Sequence, residues 1–210
     1  KKESFCLKGK DPVETRTLTN TNFENIEYAL SGELFLTEDT AFSITVTGPA
    51  DILDRLEITQ SGTSLVLGAD KCVANDAGLA FQIHIPKLER VALSGSGNIF
   101  GLTLFHSTSP EISNSGSGFV DLAFQATESR ADISGSGSID LNVYGNSVQS
   151  TISGSGDLTL KGTTLSQLLS IPGSGNFFGY GIPSSNVDVT ISGSGHAQVM
   201  VSGQLNATLS

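Results

Sequence analysis

The fold is decided by a stretch that reads Ile133-Ser134-Gly135-Ser136-Gly137-Ser138-Ile139-Asp140-Leu141. Its Gly-Ser-Gly triplet occurs six times, and successive first glycines are 21, 19, 19, 19 and 20 residues apart. The triplets occupy residues 95–97, 116–118, 135–137, 154–156, 173–175 and 193–195. A repeat of this length is typical of solenoid proteins, in which each coil stacks on the next.

Apolar residues flank the triplets in alternation with polar ones. The position two residues before the first glycine holds Leu93, Asn114, Ile133, Ile152, Ile171 and Ile191, and the position two residues after the last glycine holds Ile99, Val120, Ile139, Leu158, Phe177 and Ala197. This alternation predicts short strands with one buried face. A unit this short cannot bury that face alone. We therefore predict an all-β fold, a parallel β-helix (β-solenoid) of about 19–21 residues per rung, with rungs about 4.8 Å apart.

Gly-Ser-Gly is expected to form a sharp corner in each rung. Glycine permits a positive φ, and it lets neighbouring backbones approach without a side-chain collision. Helices are disfavoured because no apolar period of 3.6 residues continues through these glycines.

Residues 23–90 are less regular, and we interpret them as two longer turns of the same coil, because Gly32, Gly62 and Gly95 are 30 and 33 residues apart. The predicted strands are 33–36, 43–46, 56–59, 64–67, 80–85 and 90–93, with one helical turn within 51–56. The predicted organisation is an N-terminal arm (1–22) and a single β-helix domain (23–210), whose regular rungs occupy 91–210.

Charged residues are few and unevenly distributed. The chain has 21 acidic and 11 basic residues, a formal net charge of −10, and residues 91–210 hold only 7 acids and 2 bases. An acidic surface repels phosphate backbones, so nucleic acid is disfavoured as a partner. No run of eighteen apolar residues is present, so we predict no membrane span.

The segment Ile85-Pro86-Lys87-Leu88-Glu89-Arg90-Val91-Ala92-Leu93-Ser94-Gly95-Ser96-Gly97, with the Ser-Gly-Ser-Gly units after it, resembles the head GIN domain family of bacterial autotransporter adhesins. Phe23-Glu24-Asn25-Ile26 and residues 43–56 match the opening of that family, and the resemblance covers 20–210. It implies a right-handed parallel β-helix and an exported protein that is periplasmic, outer-membrane-associated or secreted. The family offers no established catalytic residues to transfer, and Asn114 departs from its usual apolar position.

Cys6 and Cys72 are the two cysteines of the chain. They are either unrelated thiols or one disulfide that ties the arm to the β-helix. A disulfide would close a long loop, stabilise the fold and indicate an oxidising compartment.

Asp121 and Asp140 occupy equivalent positions in adjacent rungs, so we expect them about 5 Å apart on the outer surface. Such a pair is suited to acid–base cleavage of a polysaccharide or to binding Ca²⁺. We favour two solvated carboxylates, because the other rungs carry Phe100, Thr159, Phe178 and Gln198 at this position. The histidines are far apart in sequence, and no Gly-x-Ser-x-Gly elbow occurs. We therefore predict no catalytic residues, no metal site and no cofactor.

Phe100, Phe178 and Tyr180 lie at or near outward positions, where aromatic rings can stack on sugars. Phe100 and Phe178 are four rungs apart, roughly 19 Å, which is too far for one platform. We therefore expect these rings to be covered core residues, although together with Asp121 and Asp140 they remain the binding candidates.

The repeat and the lack of a catalytic constellation predict a non-catalytic module, and the family resemblance implies that it is exported and serves adhesion or interaction, with a carbohydrate or a cell-envelope protein as partner. The alternative is a β-helix polysaccharide lyase or glycosidase that uses surface carboxylates. Residues 206–210 stand where another triplet would be due, so we expect an open final rung and weak self-association through it.

Overall fold

The structure, a computed structural model, describes residues 6–74 and 77–210. It is an all-β parallel solenoid, which confirms the predicted fold class. Each regular rung consists of a strand on a first face, a Gly-Ser-Gly corner and a strand on a second face.

Along the solenoid, the first face contains β5 (Leu56–Ser61), β6 (Ser64–Ala69), β2 (Asn25–Tyr28), β8 (Arg90–Leu93), β10 (Glu111–Asn114), β12 (Glu128–Ile133), β14 (Ser147–Ile152) and β16 (Ser166–Ile171). The second face contains β1 (Val13–Leu18), β4 (Ser43–Pro49), β7 (Ala80–Ile85), β3 (Glu33–Glu38), β9 (Asn98–Ser107), β11 (Phe119–Ala126), β13 (Ser138–Tyr144) and β15 (Asp157–Thr163). The long strands β17 (Asn176–Ile191) and β18 (His196–Leu209) run along the second face and then the first face. A short helix, α1 (Ala50–Leu53), follows β4.

Neighbouring rungs pair in parallel and in register, so equivalent side chains form columns inside the solenoid. Ile139 pairs with Val120 on one side and with Leu158 on the other, and all three are fully buried. Burial of one such side chain contributes about 2 kcal/mol. The columns join into one core that extends from Phe23 to Val189.

The Gly-Ser-Gly corners stack backbone on backbone. A Cβ added to Gly135 would lie 2.1 Å from the carbonyl oxygen of Gly116, and one added to Gly116 would lie 1.9 Å from that of Gly95. The predicted positive φ is wrong for these corners, because the described glycines with positive φ are Gly9, Gly62, Gly78 and Gly162. The corners require glycine because a Cβ has no room there.

Asn114 is the polar exception in an otherwise apolar inward column, and its buried side chain forms hydrogen bonds at a corner. Its side-chain amide donates to the carbonyl oxygens of Gly118 (2.8 Å) and Ser138 (3.2 Å), and its side-chain oxygen accepts from the Gly116 amide at 3.1 Å. The polar side chain therefore stabilises a corner from inside, and its burial is offset by three hydrogen bonds.

The two N-terminal turns stack in the reverse of their chain order. On the first face β2 pairs with β6 and β8, and on the second face β3 pairs with β7 and β9. The rung of β6 and β7 therefore lies outside the rung of β2 and β3, although it comes later in the chain. Gly62 lies in the tight turn between β5 and β6, with φ 56°, so its spacing from Gly32 and Gly95 does not mark a rung.

Antiparallel strands close the N-terminal end. β4 pairs with β7, β1 pairs with β4, and β5 pairs with β6, all antiparallel. A disulfide joins Cys6 to Cys72 beside a bridge between Leu7 and Val73. Residues 6–22 therefore lie against the solenoid.

The predicted strands of residues 23–93 are all present, lengthened by up to three residues. The additional strands β1 and β2 were not predicted, and α1 begins one residue before the expected helical turn. Among the described residues, no helix has the length and apolar character needed to cross a membrane.

Candidate functional site

One outward column on the second face contains four of the five candidate binding residues. Strand register places Phe35, Phe100, Asp121, Asp140, Thr159 and Phe178 side by side in successive rungs. Tyr180, the fifth candidate, follows Phe178 on the same strand. Aromatic rings therefore stand at both ends of the column with two carboxylates between them.

Phe35 and Phe100, at the N-terminal end of this column, and Phe119, in the neighbouring outward column, form a surface that we call the aromatic strip. The rings of Phe35 and Phe100 are stacked with centroids 5.6 Å apart, and those of Phe100 and Phe119 are tilted with centroids 6.1 Å apart. All three side chains are half-buried on the outer surface. The expectation that Phe100 belongs to the core is therefore wrong, because its ring lies among these outward-facing rings.

Sequence reasoning missed the other two members of the aromatic strip. Phe35 alternates with the buried Leu34 and Leu36, which is a visible signal that it faces outward. Its position beside Phe100 follows from the reversed rung order, and no local pattern reports that order.

Phe178 and Tyr180 lie at the other end of the column and are 36% and 65% exposed. The prediction that they are core residues is wrong, because Phe177 occupies the inward position and is buried. Strand alternation then turns Phe178 to solvent. Met200, on the next strand, is also half exposed.

Asp121 and Asp140, the acidic pair, are register neighbours beside the aromatic strip. Burial raises the pKa of Asp121, and the like charge of Asp140 raises it further. The Nζ atom of Lys161 lies 3.5 Å from Oδ2 of Asp140, so the Asp140 carboxylate has a cationic partner. Both aspartates are half-buried rather than fully solvated. The acidic pair therefore combines one carboxyl that is more easily protonated with one that is ion-paired.

Two histidine–carboxylate pairs lie at the end of β3. His84 Nδ1 is 3.0 Å from Asp39 Oδ2, and His106 Nδ1 is 3.2 Å from Glu38 Oε2. The hydrogen bond with His84 is the main cause that lowers the pKa of Asp39. Within residues 6–74 and 77–210, no three side chains of His, Cys, Asp or Glu are grouped to hold a metal ion.

A shallow groove of about 440 Å³ lies on the first face, between β12, β14 and β16. Glu128, Arg130, Gln149 and Leu168 line it. The Nε atom of Arg130 donates to Asp132 at 2.6 Å, so its positive charge is already paired. The groove is an open polar surface, less distinctive than the aromatic strip.

Solved structures share this architecture. A protein of Parabacteroides distasonis described as a "putative lipid binding protein" superposes with a TM-score of 0.85 at 17% identity, over 97% of this chain and 99% of that one. A "putative adhesin" of the same species gives 0.82 at 15% identity (98% and 99% covered), and one from Parabacteroides merdae gives 0.81 at 16% identity (97% of each chain). These likenesses show the fold.

No curated protein sequence matches this chain. The family model described as "Putative auto-transporter adhesin, head GIN domain" matches residues 22–210. That description is of an exported, adhesin-like bacterial domain. Because the match spans most of the chain, this chain belongs to the head GIN domain family.

Proposed function

We propose that this protein is a non-catalytic adhesion domain that binds a glycan through the aromatic strip and the acidic pair. The observation that carries the proposal is that these two features adjoin in one register column: Phe100 pairs directly with Asp121, which pairs with Asp140. The membership of an adhesin-like family supports the same conclusion.

The chemistry of this surface suits a sugar. The face of an aromatic ring attracts the C–H groups of a sugar ring, and stacked neighbours such as Phe35 and Phe100 extend that platform. Carboxylates accept hydrogen bonds from the hydroxyl groups of a sugar, and the acidic pair places two carboxylates beside the rings. The parallel strands hold all these groups at fixed spacings, so little conformational entropy is lost on binding.

The proposed location is the periplasm, the outer membrane surface or the exterior of a bacterium. The disulfide between Cys6 and Cys72 supports this location, because disulfides persist in oxidising compartments. A protein of the cell envelope that displays glycans is the natural partner for a domain held there.

The test is a glycan array, followed by calorimetric titration of the best-bound glycan. Phe100→Ala is expected to weaken binding about tenfold or more, equivalent to one lost stacking contact. The matched control is Phe178→Ala, in the same column but outside the strip, which should bind like the unaltered protein. Equal binding by both variants, or no binding of any glycan, would contradict the proposal. Lipid vesicles serve as the comparison probe, since one structural neighbour is described as lipid binding.

The raised pKa of Asp121 beside Asp140 favours one second candidate, cleavage of a polysaccharide by an acid and a base. Release of reducing ends or unsaturated sugars by the purified protein, lost in both Asp121→Asn and Asp140→Asn, would support this alternative. Glycan binding without turnover would support the adhesion domain.

A further inference from the structure

Further acidic side chains lie around the aromatic strip on the second face. Glu33 pairs with Asn98, which pairs with Phe119, so the Glu33 carboxylate stands in the same column as the third ring of the strip. Asp157 begins β15, and its Oδ1 atom accepts a hydrogen bond from the side-chain amide of Asn176 at 2.8 Å. Together with the acidic pair, these carboxylates give the surface a negative potential, which disfavours anionic sugars.

The two carboxylates of the acidic pair differ in how far their charge is compensated. The Nζ atom of Lys161 lies 3.5 Å from Oδ2 of Asp140, so Asp140 already has an ammonium partner from the chain itself. Asp121 forms no ion pair with any residue that the structure describes. Burial and the charge of Asp140 raise the pKa of Asp121, and the charge of Lys161 offsets this only in part. Asp121 is therefore the carboxylate that a cationic group of a ligand would stabilise.

Phe100 completes an environment that suits an ammonium group. It is the register partner of Asp121, so the two side chains are one rung apart, about 4.8 Å along the solenoid axis. The face of an aromatic ring attracts a cation, and a carboxylate receives an ammonium group in a charge-assisted hydrogen bond that is stronger than one from a neutral hydroxyl. An aromatic ring beside an uncompensated carboxylate therefore favours a protonated amine over an uncharged group.

We propose that the glycan bound here is a chain of amino sugars with free, protonated amino groups, and that Asp121 receives one of these groups beside the ring of Phe100. This inference rests on the proposed function and deepens it by naming the class of sugar. In a linear amino sugar chain each ring carries an amine, and one sugar ring is about as long as one rung is high. A chain along the solenoid axis can therefore place one ring on the aromatic strip and an amine at the acidic pair.

Calorimetric titration with three linear hexasaccharides tests the inference. The sugars are glucosamine, N-acetylglucosamine and galacturonic acid, at mildly acidic pH, where the glucosamine amines are protonated. The glucosamine hexasaccharide is expected to bind about tenfold or more tightly than its N-acetylated counterpart, because acetylation removes the charge. The galacturonic acid hexasaccharide should not bind. The preference for glucosamine should fall in about 1 M salt, where the Debye length is about 3 Å.

Two variants locate the preference in the acidic pair. Asp121→Asn should bring the ratio of the glucosamine and N-acetylglucosamine affinities close to one, because an amide cannot form an ion pair with an ammonium group. The ratio compares two ligands of the same protein sample, so a loss of folded protein does not alter it. The matched control is Glu111→Gln, which removes one negative charge from an exposed position on the first face and should preserve the ratio.

The inference is overturned if either of the other hexasaccharides binds as tightly as the glucosamine one. It is also overturned if Asp121→Asn retains the preference, if Glu111→Gln abolishes it, or if none of the three binds while other glycans on the array bind through Phe100. Each of these results leaves the proposed function standing. Binding of no glycan at all would contradict the proposed function itself.

Discussion

The N-terminal region, residues 6–89, and the regular stack, residues 90–210, use the same rung geometry but stabilise it differently. In the N-terminal region the core is closed by antiparallel strands, a disulfide and ion pairs between opposite charges, such as Arg55 with Asp70 and Lys87 with Glu89. The regular stack is stabilised mainly by its register, with buried aliphatic columns and glycine corners repeated in each rung. Irregular strands therefore close the N-terminal end of the solenoid, and repeated rungs build the rest of it.

The repeat also determines which charged side chains become neighbours. In the N-terminal region, Asp39 meets His84, and the hydrogen bond lowers the pKa of Asp39. In the stack, a parallel register pairs equivalent positions, so Asp121 meets Asp140, and the pKa of Asp121 is raised. A surface built by repeating one position can place like groups side by side, which an irregular fold avoids. The candidate binding site lies where the two regions join.

The largest expected effect comes from a side chain at a corner. Gly135→Ala should destabilise the protein by about 4 kcal/mol or prevent folding, because the new Cβ would meet the Gly116 carbonyl oxygen at 2.1 Å. The control is Gly68→Ala in the N-terminal region, where the nearest atom is 3.6 Å away, and it should cost about 0.5 kcal/mol or less. Urea unfolding followed by circular dichroism measures both. Similar midpoints for the two variants would show that the corners tolerate a Cβ.

Removal of the disulfide should have the next largest effect, and it should be local. The bond links residues separated by 66 positions, and a loop of this length corresponds to about 4 kcal/mol in the chain-entropy description. In Cys6→Ser/Cys72→Ser, amide hydrogen exchange should quicken in β4 and β7 but not in β13 and β15, because each rung contacts only its neighbours. The unaltered protein under the same non-reducing conditions is the control. Equal acceleration in all four strands would indicate one cooperative unit without a distinct N-terminal end.

The smallest expected effect is a pH dependence of opposite sign in the two regions. The folded state binds a proton at Asp121 more tightly than the unfolded state does, so this group's contribution to stability falls as pH rises from the ordinary aspartate pKa to the raised one. Asp39 has a lowered pKa, so its contribution is lost as pH falls through that value. Carboxyl carbon NMR titration should give Asp121 a higher pKa than Asp39. The opposite order would contradict the assigned environments, and Asp121→Asn should remove the first dependence.

Much of the regular stack could be predicted from sequence because its signals are local. The alternation around Ile133 and Ile139 identifies the inward positions, and the spacing of the triplets gives the rung length. Asp121 and Asp140 stand at the same distance in sequence from their triplets, so the repeat alone predicts that they lie side by side. Six repetitions of one pattern make the register unambiguous, since a slip of one residue would expose every aliphatic column.

The sequence by itself therefore determined the solenoid, its corners and the acidic pair. Only the tertiary structure decided the rung order at the N-terminal end, because β2 and β6 have the same alternation and both fit beside β8. That order brings Phe35 next to Phe100 and so creates the aromatic strip. The alternation of apolar and polar residues predicts whether a side chain faces inward or outward. Which residue lies beside it on the next strand depends on how strands distant in sequence pair, and no local pattern encodes that pairing.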